Sequence, residues 1–210
     1  MYDIFQMLIL GFVIGLTGAL APGPTLVATI NASIAGNWAT GLKISLGHLI
    51  VEFFLVILIL SGLAAVALPH ASVIAAAGGI ALILFGGLTI AGSRTATMSA
   101  NTIQPVSNPY AAGLITSAAN PYFWIWWLSI GSAMVIAGLE GGLGFVGIFM
   151  IGHWTADTVW YTLVSTTVSK GRTLFSDPVY RKIMVLCGIF LILFGIFYLS
   201  HFIISRKILL

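Results

Sequence analysis

Long apolar stretches separated by short polar ones set the pattern of this chain. They run from Ile4 to Ala35, Gly41 to Leu68, Ala71 to Ala91, Tyr110 to Ala137, Gly141 to Ser169 and Ile183 to Ile204. Each is near or beyond the ~20 residues that a helix needs to cross a bilayer, so the pattern predicts six spans. Between the third and fourth lies Ser93 to Asn108, rich in Ser, Thr and Asn, which reads as a connector.

Two of these stretches contain residues that cannot continue a helix. The first is interrupted at Pro22-Gly23-Pro24 and the fourth at Asn120-Pro121. Proline removes a backbone N–H and clashes with the preceding turn, and Gly23 adds backbone freedom. In lipid the freed backbone groups must be covered by protein or line a cavity. Half-helices that begin after Pro24 and Pro121 would present N–H groups, from Thr25 or nearby, to an anionic group. Asn120 either satisfies the broken backbone or touches a ligand.

The two breaks belong to a repeat. Thr17-Gly18-Ala19-Leu20-Ala21-Pro22 is echoed by Thr116-Ser117-Ala118-Ala119-Asn120-Pro121. Gly47-His48 with Glu52 four residues on is echoed by Gly152-His153 with Asp157 four residues on. The octet from Gly79 to Gly86 recurs from Gly188 to Gly195 with one difference. Residues 1–92 and 109–210 thus form two three-helix repeats joined by the connector 93–108. An odd number of spans per repeat inverts the second half relative to the first, a design common in secondary transporters.

Composition agrees with burial in lipid. Charged residues make up 6% of the 210, against roughly 25% in soluble domains. The net charge of +3 is spread over loops, with no basic block for nucleic acid. Ala19-Leu20-Ala21 resembles a leader cleavage site, but no Lys or Arg precedes the apolar run and Pro22 follows it, so the first segment reads as retained. Lys43, Arg94, Lys170, Arg172, Arg181 and Lys182 fall on one side, and Arg206, Lys207 and the α-amino group on the other. The positive-inside rule then puts both termini outside the cell membrane.

Against this background four ionisable residues stand out within the spans: His48, Glu52, His153 and Asp157. A spacing of four puts each His and its carboxylate on one helical face. Mid-membrane charge is costly and faces a partner or a water-filled cavity. These residues suit binding of a substrate ammonium group or carriage of a coupling proton. They equally suit ligation of a divalent transition metal, and a buried structural network is the bland alternative. Inversion places His48 level with Asp157 and His153 level with Glu52, predicting crossed pairs near the breaks. Asn31 reads as a helix–helix hydrogen bond. Trp124, Trp126 and Trp127 read as interface anchors or lipid-facing bulk. The glycine pairs Gly86-Gly87 and Gly141-Gly142 read as close-packing sites. The lone Cys187 excludes an internal disulfide, and with no His-Glu-x-x-His motif the chain does not read as an enzyme.

The Ala-Leu-Ala-Pro-Gly-Pro stretch ending at Pro24, the glycine-rich second span and the Asn120-Pro121 opening resemble the LysE family of amino-acid exporters, along essentially the whole chain. Some members of that family move cadmium. Many carry an Asp soon after the second-span glycine, where this chain has His48 and then Glu52. The resemblance implies a small exporter working without ATP.

The expectation is therefore an all-α integral membrane protein, a secondary transporter exporting an amino acid or similar small metabolite by alternating access on a proton gradient. The alternatives are a divalent metal exporter and a non-transporting scaffold. The expected partners are a small-molecule substrate and the lipid bilayer, with no nucleic acid and no cofactor. The oligomeric state is left open.

Overall fold

The structure is a computed structural model, describing residues 3–67, 70–96, 108–171 and 176–208. The described residues are helical almost throughout. Helix α1 spans Ile4–Ala19, α2 Pro24–Ala35, α3 Ala39–Leu58, α4 Ala64–Ala67, and α5 Ala71–Ser93. Then follow α6 Pro109–Ala118, α7 Pro121–Trp126, α8 Ser132–Leu139, α9 Leu143–Gly171, and α10 Asp177–Ile208. Among the described residues, four helical segments are long and apolar enough to cross a membrane, or five when the bent pair α1 and α2 counts as one span. Helix α9 is not among them: its 29 residues suffice in length, but its Thr and Ser residues, His153 and Asp157 dilute its hydropathy.

Several boundaries depart from the hydrophobic pattern. The expected second span, Gly41 to Leu68, is interrupted by a π-helical turn at Ile59–Leu63, where Gly62 takes φ 105°. That conformation favours glycine, and the apolar pattern carries no mark of it. Leu68 and residues 97–107 of the connector lie outside the described residues. Helix α10 starts six residues before Ile183, at Asp177, because the acidic residue sits favourably in the first turn of a helix. Gly142 does not pack closely but turns the chain with φ 92°, and Gly87 has no neighbour within 4 Å of where a Cβ would stand. Gly86 does pack closely.

Small residues govern how the helices meet. Helix α5 packs along α10, α1 along α9 and α3 along α6. A Cβ on Gly79 or Gly195 would lie 2.5–2.8 Å from the carbonyl oxygen of the other, and Gly86 and Gly188 stand in the same relation at 2.5–2.6 Å. The backbones of α5 and α10 therefore touch at two crossings, running antiparallel. Gly152 meets the backbone of α1 at Leu8 and Phe12, while Gly47 and Gly113 let α3 and α6 approach. Gly86→Val would push a branched side chain into the Gly188 carbonyl. Overpacking of this kind costs about 1–3 kcal/mol, so the variant should show a lower melting temperature in detergent than Gly87→Ala.

Candidate functional site

The proline breaks put two helix ends at the same place. Helices α1 and α2 meet at 80°. Pro24 occupies the first turn of α2, where its missing N–H costs nothing. Pro121 does the same for α7, and Asn120 caps that helix by accepting from the Tyr122 N–H at 3.1 Å. Asn120 thus satisfies the broken backbone. Its amide also stands against Gly23, the uncapped start of α2. The Tyr122 hydroxyl donates to the Thr17 carbonyl at 3.2 Å, and the Trp126 indole N–H to the Thr17 hydroxyl at 3.1 Å. The second break is in this way fastened to the first.

Beside the breaks, α3 and α9 bring His48, Glu52, His153 and Asp157 into one cluster. Glu52 and Asp157 are each 1% exposed, His153 2% and His48 7%. Glu52 Oε1 lies 3.0 Å from Nε2 of both His48 and His153. Asp157 lies 3.8 Å from His48 and 3.4 Å from His153. The crossed contacts expected from inversion are present. The contacts within each helix are equally close, so the arrangement is a four-membered ring rather than two separate crossed pairs. The reason is that residues four apart stay within reach of one another while their helices lie side by side.

Hydrogen bonding fixes where protons must sit. The Ser117 hydroxyl donates to the Gly113 carbonyl at 2.6 Å, which can only accept. With Ser117 donating to Gly113, the 2.6 Å contact between Ser117 Oγ and His48 Nδ1 corresponds to the tautomer with the proton on His48 Nδ1. His48 Nε2 then faces Glu52 Oε1 with a further proton between them, held as imidazolium with carboxylate or as neutral imidazole with carboxylic acid. At the other side of Glu52, the Trp127 indole N–H donates to Oε1 at 3.1 Å. His153 Nδ1 has no partner, which leaves Nε2 as its N–H toward Glu52. In that tautomer His48 and Glu52 share a proton.

A cavity of about 30 Å³ adjoins the ring, lined by residues of both breaks including Gly23, Thr25 and Asn120. That is room for about two waters. Glu52 Oε2, Asp157 Oδ2 and Thr25 Oγ1 are buried without hydrogen bonds. Thr25 Oγ1 stands beside the Tyr161 hydroxyl without closing one. Buried polar groups are usually hydrogen-bonded, and the adjoining cavity has room for water that would satisfy them.

The sequence reading misplaced two tryptophans and missed Ser117 and Tyr161. Trp126 and Trp127 are 3% and 1% exposed, against 36% for Trp124. A π-helical turn at Trp127–Gly131 follows α7 and widens the helix. Gly131 leaves the space that both rings fill. The signal available in sequence was this glycine, four residues after a Trp pair and close behind a proline break. Trp127→Phe keeps the packing but removes the indole donor. Hydrogen bonds to charged groups contribute about 1.5–3 kcal/mol, so thermal stability of the purified protein should fall measurably.

The site is therefore a buried ring of two imidazoles and two carboxylates at the junction of two broken helices. No curated protein and no solved structure matches the chain. A family model described as LysE type translocator matches residues 16–201, from the last turn of α1 into the final helix. The chain belongs to that family, and is a multi-pass membrane exporter of small molecules.

Proposed function

We propose that this translocator is a proton-coupled secondary transporter that exports an amino acid or a similar small metabolite, with the ring of His48, Glu52, His153 and Asp157 as its central site. One observation carries the reading: four ionisable side chains from two helices meet, almost wholly buried, where both proline breaks converge. Glu52 or Asp157 would take the substrate's ammonium group. The uncapped start of α2 offers N–H groups and the Thr25 hydroxyl to its carboxylate. The cavity of about 30 Å³ has room for about two waters. Alternating access would open it to the cargo.

The proposed architecture is six spans in two inverted repeats, 1–92 and 109–210, around the connector 93–108. The glycine crossings favour it. Gly79 corresponds to Gly188 and Gly86 to Gly195, and the contacts Gly79–Gly195 and Gly86–Gly188 exchange under that correspondence, as a two-fold axis requires. In this proposal α9 is a span despite its polar residues, because the ring compensates them. Both termini lie outside the cell membrane, with the basic loops in the cytoplasm.

A second reading has its own support. Donor atoms of His48, Glu52 and Asp157 all lie within 4.8 Å of one another, a spacing open to a divalent cation as cargo. Flux into or out of proteoliposomes separates the two. Under an imposed pH gradient or substrate gradient and without nucleotide, amino-acid flux is expected. Flux of divalent metal alone would transfer the reading to the metal, and a requirement for ATP would overturn both.

A further inference from the structure

The ring is flanked by unlike surroundings on its two sides. Toward the start of α9 it meets the rings of Trp126, Trp127 and Phe149 against His153, and beyond them lies the buried apolar core of Leu55, Val56, Ile59 and Val146. Toward the other end it meets hydroxyls. Thr25, Thr29 and Ser33 follow one another at intervals of four on α2, so they share a face. On α9, Tyr161 and Ser165 continue the face of Asp157 at the same interval. Thr29, Ser33 and Ser165 are fully buried. The Ser33 hydroxyl meets that of Ser165 at 2.9 Å across the two helices. Ser165 donates to the Asn37 carbonyl at 2.7 Å, in the exposed turn between α2 and α3. At the inner end, Thr25 is 3% exposed and lines the cavity, and its Oγ1 has no hydrogen-bond partner.

Small hydroxyl residues commonly pack helices in lipid; this row differs in leading from the cavity at Thr25 to the exposed turn at Asn37. It ends at the same face as the basic residues. Lys43 lies one turn into α3, Lys170 at the last turn of α9, and the Arg181 guanidinium donates to the Ala96 carbonyl beyond α5. We propose that the α2–α9 seam is the aqueous entrance to the ring, by which protons and cargo reach it from the side bearing the basic loops. The inference rests on the ring being a transport site. When α2 tilts away from α9, the hydroxyls replace one another's hydrogen bonds by bonds to water. The apolar side offers only the two indole N–H groups, which already donate to Thr17 and Glu52.

The single native cysteine makes a direct test feasible. In a Cys187→Ala background, Thr29→Cys, Ser33→Cys and Ser165→Cys are near-isosteric changes in the seam. Leu55→Cys and Val135→Cys, equally buried, serve as controls. The probe is a small charged methanethiosulfonate reagent applied to protein in vesicles. The seam positions should react at least tenfold faster than the controls, and equal rates would overturn the entrance. Amide exchange of the unaltered protein needs no variant: 29–33 should exchange faster than 55–59, and the reverse order would also overturn it. Glu52→Gln separates this from the site itself. Loss of flux in that variant with a silent seam rejects only the entrance, whereas a reactive seam with flux indifferent to Glu52 rejects the site.

Discussion

Glu52→Gln should abolish proton-driven flux while leaving a folded protein. Glutamine preserves the size of the side chain and still accepts from the Trp127 indole and the His153 N–H. It cannot carry a negative charge opposite His48, and it cannot take up or release the proton that His48 and Glu52 share. A charge-assisted hydrogen bond contributes about 1.5–3 kcal/mol, which corresponds to a roughly ten- to hundredfold loss in substrate affinity. The loss of coupling is more complete, because without the Glu52 carboxylate the ring no longer holds the proton that His48 and Glu52 share. Asp157→Asn removes a carboxylate whose Oδ2 has no hydrogen bond, so it should weaken binding with little cost in stability. Flux measured in proteoliposomes at several external pH values checks both variants. Wild-type rate and pH dependence in Glu52→Gln would remove its coupling role.

A large effect on folding should come from Gly152→Ala. A Cβ there would overlap the Leu8 carbonyl oxygen and approach the Phe12 nitrogen. Both are backbone atoms held within α1, so neither can swing aside as a flexible side chain would. The helices must separate, and with them His153, the next residue, leaves its contact with Glu52. The cost should sit at or beyond the top of the ~1–3 kcal/mol usual for overpacking. Gly147→Ala, five residues earlier on the same helix, meets nothing within 4 Å. There alanine should be neutral or stabilise by about 0.5–1 kcal/mol through helix propensity. Thermal unfolding of the two variants in detergent, followed by circular dichroism, makes the comparison. Equal melting temperatures would contradict the close α1–α9 approach.

The sequence made some of this legible for definite physical reasons. Lipid tolerates unpaired backbone so poorly that long apolar runs identify helices and prolines locate their breaks. The same intolerance singles out His48, Glu52, His153 and Asp157, since charge inside an apolar run needs a reason. These four do come together, and their role is what the proposal adds. Trp126 and Trp127 were not legible, because a π turn rotates the face that a regular helix would show to lipid. Thr29 and Ser33 were equally silent. In apolar helices such hydroxyls bond to the carbonyl four residues back, as these two do, and only the fold reveals that they face Ser165. Asn31 was read as a link between helices, and it accepts a hydrogen bond from the Tyr180 hydroxyl on α10. Gly62 shows the limit from the other direction, since one positive φ ends a helix that hydrophobicity alone would extend.

The central claim is that the buried ring binds what this translocator carries. Its most direct test is a thermal-shift screen of the purified protein, with amino acids in one panel and divalent metals in the other, repeated on Asp157→Asn and Glu52→Gln. The account predicts that an amino acid or related zwitterion raises the melting temperature of the wild type and that the shift shrinks in Asp157→Asn or in Glu52→Gln. A shift equal to that of the wild type in both variants would mean that the ligand binds elsewhere, and would contradict the claim.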